Sequence, residues 1–151
     1  MKRKIAIFIF IILVVIQFIR PAKNQSSELL NSDITRVTQV PENVLGILKT
    51  SCYDCHSNNT VYPWYNSIQP VYWWLNNHIR EGKEHLNFSE FGEYGNKKAA
   101  KKLKGIIKQI EKDGMPLSSY ILIHRDAVLN AQQKELVINW ARSAVVNTGK
   151  D

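Results

Sequence analysis

Residues 51–57 read Ser51-Cys52-Tyr53-Asp54-Cys55-His56-Ser57, and the chain holds no other cysteine. On a helix, two thiols three positions apart lie one turn apart, and here an imidazole follows directly. Cys-x-x-Cys-His is the pattern in which two thiols add to the two vinyl groups of haem and the histidine lies under the iron as proximal ligand. Shuffling this composition produces the pattern in roughly 1 of 3,000 arrangements, so coincidence explains it poorly. Three other uses of paired cysteines compete. A redox dithiol expects a βαβ context, and none is visible. A structural zinc site needs two further ligands, which His78 and His85 could supply only at a loose spacing of seven. An inert disulfide is the third. An exported dithiol or zinc-binding interaction domain therefore stands as the non-haem alternative.

The N-terminus bears on the choice. Lys2-Arg3-Lys4 is a basic start, and Ile5 to Ile19 is apolar apart from Gln17. No small-residue cleavage pattern follows in Phe18-Ile19-Arg20-Pro21-Ala22-Lys23, so residues 1–19 are expected to be an uncleaved signal anchor, one N-terminal membrane segment. A 15-residue helix rises about 22 Å against a hydrocarbon core of about 30 Å. Snorkelling by Lys4 and Arg20 and local thinning of the bilayer cover the gap. The positive end stays in the cytoplasm, which places the domain in the periplasm on a single-pass inner-membrane anchor. Haem c is attached on that side of the membrane.

The 151 residues fit one domain, with 44% hydrophobic and 22% charged residues. Without Lys2, Arg3 and Lys4 the chain keeps 17 Lys+Arg against 13 Asp+Glu, a net +4 in place of +7. That balance is too mild for a nucleic-acid partner, and no nucleic-acid module is present. Residues 20–40 are polar and mixed, and read as a linker or loosely packed arm. The domain runs over residues 41–146.

No segment alternates with period two, so the expected class is all-α. Pro41-Glu42 opens a helix that runs into Cys52. Val71 to Ile79 can form another after Pro70. In residues 96–114, Leu103, Ile106, Ile107 and Ile110 form an i, i+3, i+4, i+7 stripe, with Gly114 as its stop and Pro116 beyond. Asn130 and Gln133 form a capping box for the last helix.

A haem iron with one histidine has a second axial position, and Met115, His78, His85 and His124 are the candidates. Met115 is the only methionine besides the initiator. It lies in Asp113-Gly114-Met115-Pro116, between the Lys-rich and terminal helices, which is its place in small monohaem cytochromes c. His78 is the weaker candidate. The basic face from Lys97 to Lys112 is either solvated or a docking patch for an acidic redox partner.

The stretches "CYDCHSNNTVYPWY", "PVYWWLNNHIREGKEHLNFSEF" and "GMPLSSYILIHRDAVL" resemble the haem-binding domain family of bacterial exported proteins over about residues 41–145. The family is c-type-cytochrome-like, so the resemblance implies a small cytochrome-c-like helical domain. It further implies one covalent haem c on Cys52 and Cys55, His56 proximal and Met115 distal. Two functions follow. A six-coordinate iron makes an electron carrier. A displaceable sixth ligand, with His78 or His124 handling protons, makes a haem-based sensor or peroxidase-like enzyme.

Overall fold

The apolar stripe of the Lys-rich segment needs a partner, and it finds one in the terminal helix. The computed structural model describes residues 1–26 and 28–148. Its helices are α1 (Lys2–Ile16), α2 (Ile34–Val37), α3 (Glu42–Ser51), α4 (Tyr53–His56), α5 (Val71–His85), α6 (Asn96–Glu111), α7 (Ser118–Ile121) and α8 (Ala131–Thr148). Three 3₁₀ turns intervene, at Trp64–Ser67, Phe88–Glu93 and Arg125–Ala127. Among the described residues no strand forms; Gln25 and Asn59 make one isolated bridge. The class is all-α.

Leu103 and Ile110 of α6 are buried against Val137, Trp140, Ala141 and Ala144 of α8. The two alanines let the helix axes approach. α3 adds Val44, Ile47 and Leu48 to the same core, and the Phe88–Glu93 turn adds Phe88 and Phe91. The capping box forms reciprocally: Gln133 N–H donates to Asn130 Oδ1 at 2.8 Å, and Asn130 N–H to Gln133 Oε1 at 2.9 Å.

Three expectations shift. α5 continues past Ile79 to His85, because nothing in Arg80-Glu81-Gly82-Lys83-Glu84 stops a helix that has a core to pack on. At the end of α6 the left-handed residue is Asp113, with φ 55°, one position before Gly114. Gly114 N–H then reaches back to Gln109 O at 2.9 Å and Asp113 N–H to Ile110 O at 3.2 Å, a Schellman closure. Aspartate tolerates that conformation better than most residues, and Asp113 also ion-pairs with Lys134.

The third shift concerns residues 20–40, expected as a linker or loose arm. Ile34 is fully buried in the core, and Asp33 caps α2 by accepting from Thr35 N–H at 2.9 Å. The Trp140 indole N–H donates to Gln39 O at 3.1 Å. The packed unit thus begins before residue 41. The polar composition of the segment hides the one isoleucine that anchors it.

α1 has no buried residue. No helix among the described residues is long and apolar enough to cross a membrane.

Ile34→Ala is expected to lower the unfolding free energy by about 2–5 kcal/mol in a denaturant titration. A residue on a free tether would leave it within about 0.5 kcal/mol.

Candidate functional site

The site is a single turn of helix whose backbone is tied to its neighbours on both sides. α3 passes into α4 through Cys52, whose φ of −130° breaks the helix. Cys52 N–H still donates to Leu48 O at 2.9 Å, and Cys52 O accepts from His56 N–H at 3.0 Å. The carbonyls that follow are capped by side chains: Ser57 Oγ donates to Tyr53 O at 2.7 Å, and Thr60 Oγ1 to Asp54 O at 2.6 Å. Asn24, from the arm, donates to Ser57 O at 2.8 Å and to Thr60 Oγ1 at 2.9 Å. A four-residue helix has no stability of its own, so this shell holds it.

His56 is held by the end of α5. Its Nδ1 lies 2.8 Å from Gly82 O and 3.0 Å from Leu86 O. Both neighbours are acceptors, so Nδ1 carries the proton and the lone pair is left on Nε2. Burial pushes the His56 pKa down, with the two carbonyl bonds opposing and His85 and Lys102 adding to the depression. The ring is therefore neutral near pH 7, the form that binds metal. Phe88 meets it edge-on at 6.5 Å and stacks on Tyr53 at 5.0 Å. Tyr53 Oη is the one buried side-chain polar atom without a partner among the described residues.

The thiols are both free. Burial, then the neighbouring Cys55, pushes Cys52 up to about 12. Burial, then Asp54, pushes Cys55 up to about 11. A redox dithiol works through a thiolate of depressed pKa, and this site does the opposite. A zinc reading also lacks partners: among the described residues no group of three or more His, Cys, Asp or Glu side chains could hold a metal ion.

Beside Cys55 lies a hollow lined by Asp54, Val61, Tyr65, Leu75, Tyr120 and His124. Tyr120 donates to Asp54 Oδ2 at 2.8 Å, and its ring stacks on His124 at 4.3 Å. His124 Nε2 lies 2.8 Å from Tyr65 Oη. Burial first, then Asp54, raises the pKa of both tyrosines. Val61, in this lining, is 76% exposed, and Leu122 and Ile123, between Tyr120 and His124 in the chain, are 64% and 60% exposed. A larger groove opens along the outer side of α5, but Lys23, Arg80, Lys83, Glu84 and Glu90 line it and none of residues 52–56 does.

The structure thus brings Cys52, Cys55 and His56 onto one turn. Met115 is half-buried in the turn before α7, five residues from the Tyr120 that ties α7 to Asp54. His78 is occupied by its own helix, with Nδ1 3.0 Å from Trp74 O and its ring 4.3 Å from the Trp74 ring. His85 is exposed. His124 is the histidine that reaches the hollow beside Cys55. The partners of His56 escape a reading of the sequence, because backbone carbonyls leave no mark in it. Phe88 lies in the Asn87-Phe88-Ser89 stretch that the resemblance rests on, which was a usable signal.

The donor set fits haem: two neutral thiols one turn apart, an imidazole with Nε2 available, and exposed Val61 in the same lining as Cys55.

Gly82 makes the clasp possible, since a Cβ there would meet Cys55 O at 2.6 Å. Gly105, on α6, has nothing within 4 Å. Gly105→Ala is expected to stabilise by about 0.5–1 kcal/mol, as in an open helix. Gly82→Ala is expected to destabilise by about 1–3 kcal/mol from overpacking. Thermal melts of the two variants should move in opposite directions.

No curated protein and no solved structure matches the chain. Residues 11–143 match the family model of the haem-binding domain, a span that also takes in the arm and part of α1. The chain belongs to the haem-binding domain family, and its cofactor is haem.

Proposed function

We propose that this chain is a membrane-anchored monohaem c-type cytochrome-like protein that carries single electrons on the periplasmic side of the inner membrane. The carrying observation is the turn of α4, with two neutral thiols beside an imidazole whose Nδ1 proton is already committed. When bound, haem supplies a one-electron iron couple and two vinyl groups that accept thiols. Cys52 and Cys55 would hold it through thioether bonds, each S–H adding across a vinyl double bond with no change in overall electron count. His56 Nε2 would be the proximal ligand. Its Nδ1–H, shared by Gly82 O and Leu86 O, fixes the ring plane and strengthens the basicity of Nε2. Met115 would be the second protein ligand in this reading, and His78, turned onto Trp74, the lesser choice. Tyr120 and Asp54 hold α7, and so the end of the Met115 loop, against the attachment turn.

The anchor in this reading is α1 with Phe18 and Ile19, its basic start in the cytoplasm. The partner is an acidic redox protein. Lys97, Lys101, Lys104, Lys108 and Lys112 are exposed and suit such docking, whereas Lys98 and Lys102 lie over the Tyr94 ring at 4.8 and 5.4 Å.

A second reading is a haem-based sensor or peroxidase-like enzyme. The observation that favours it is the linked Asp54–Tyr120–His124–Tyr65 set beside Cys55, which places proton-handling groups at the hollow.

Expressed in a host that matures c-type cytochromes, the protein should retain its colour through acid–acetone extraction and show the haem c band in reduced pyridine. A colourless product would return the dithiol reading.

The oxidised native protein should show the weak near-infrared band of Met–iron ligation, with low-spin iron. Met115→Ala should abolish that band and lower the reduction potential, while His78→Ala leaves both unchanged. High-spin iron in the unsubstituted protein would favour the sensor or peroxidase reading.

A further inference from the structure

We propose that the corner formed by the Trp64–Ser67 turn and the start of α5 is a membrane seat, which rests on the lipid surface beside α1. The inference depends on the anchoring proposed above and adds where the domain sits. Three observations carry it.

The first is a join. Gln17 Nε2 donates to Gln69 O at 3.3 Å, and Gln69 N–H donates back to Gln17 Oε1 at 3.0 Å. Gln69 Nε2 and the Trp73 indole N–H both donate to Ile19 O at 2.9 Å. Arg20 Nη2 donates to Ser67 O at 3.2 Å. The end of the apolar segment is therefore fastened to this corner, and no free tether separates them.

The second is what the corner shows to solvent. Trp64 is 79% exposed, Trp74 49%, Ile68 48% and Val71 37%. These side chains flank the residues that make the join. Tryptophan is the side chain most at home at the headgroup level, where its ring is in an apolar layer and its N–H is wet.

The third is length. α1 rises about 22 Å, short of a hydrocarbon core of about 30 Å. A short span needs a thinned bilayer or a domain pressed close against it. An apolar, tryptophan-bearing corner fastened at Gln17–Arg20 can lie in the interface, where a charged surface could not. Continuity with the anchor selects lipid over a protein partner for this face.

The test uses the full chain with haem attached, in nanodiscs of zwitterionic lipid, either plain or brominated near the headgroup. Bromine quenches only tryptophans that touch the lipid. The brominated discs should quench the emission of the unsubstituted chain, and Trp64→Phe with Trp74→Phe should remove at least half of that quenching. Trp73 supplies the remainder and Trp140 lies in the core. An unchanged visible spectrum shows that the double variant is folded, and the two single variants, each losing part of the quenching, serve if it is not. Flotation with liposomes is read on the same preparations. If the chain floats but the substitutions leave the quenching unchanged, the seat is overturned and the anchor stands. Coverage of the face by haem or protein would give that result. If the chain does not float, the anchor and the seat both fall.

Discussion

The bond from His56 Nδ1 to the end of α5 is the constraint on which the other features of the site depend. The last four carbonyls of a helix have no partner within it, and they carry its partial negative charge. Leu86 O, at the cap, is one of them, and Gly82 O lies one turn before it. Gly82 O is paired within the helix, but a carbonyl has two lone pairs. It accepts from Leu86 N–H at 2.9 Å and has a lone pair left for His56. Leu86 turns extended, with φ −157° and ψ 128°, which brings its own carbonyl to the same imidazole. So α5 has to end where it does. Gly82 has to lack a side chain, because α4 crosses there at backbone contact. Phe88, two residues past the cap, is then delivered edge-on to the ring at 6.5 Å.

The surroundings of that bond are held by polar contacts made at long range. Asn58 Nδ2 donates to Glu90 Oε1 at 2.8 Å, Asn87 Nδ2 to Asn58 Oδ1 at 3.0 Å, and Ser89 Oγ accepts from Asn58 N–H at 3.1 Å. Asn24 bridges from the arm to the same loop. Asn87 and Ser89 are buried, where a missing partner would cost about 1–3 kcal/mol. The satisfied set thus fixes one arrangement of the loop after His56. An apolar core alone would specify it less sharply, since hydrophobic contact has no direction.

What could be read in the sequence was what is local. The Cys52–His56 motif, the α6 stripe and the Asn130 capping box each depend on residues within a turn or two of one another, and all three lie where the pattern puts them. What could not be read was set by contacts distant in the chain. Gly82 looks like any helical glycine until α4 is laid across it. Ile34 is one apolar residue in a polar stretch. The stop after α6 was legible in kind, but its position moved by one because Asp113 accepts the left-handed conformation and gains Lys134. The hollow beside Cys55 joins residues 54, 65, 120 and 124, and no spacing rule links them. His124 offers no sign in the sequence that it, and not His78, lines the hollow with Cys55.

Asp54 shows how the turn of α4 can serve more than the thiols and the imidazole it carries. It is a variable position of the motif, facing away from the thiol chemistry in any reading based on spacing. Its Oδ1 accepts from Val61 N–H at 3.0 Å and its Oδ2 from Tyr120 O–H at 2.8 Å. The first bond closes the loop that leaves the turn. The second reaches 66 residues along the chain to α7, just beyond Met115. Bonds to a carboxylate are stronger than neutral ones, and the part-buried setting screens this one less than open water would. A single side chain between the two cysteines therefore couples the geometry of the thiol–histidine turn to the placement of the loop that carries Met115.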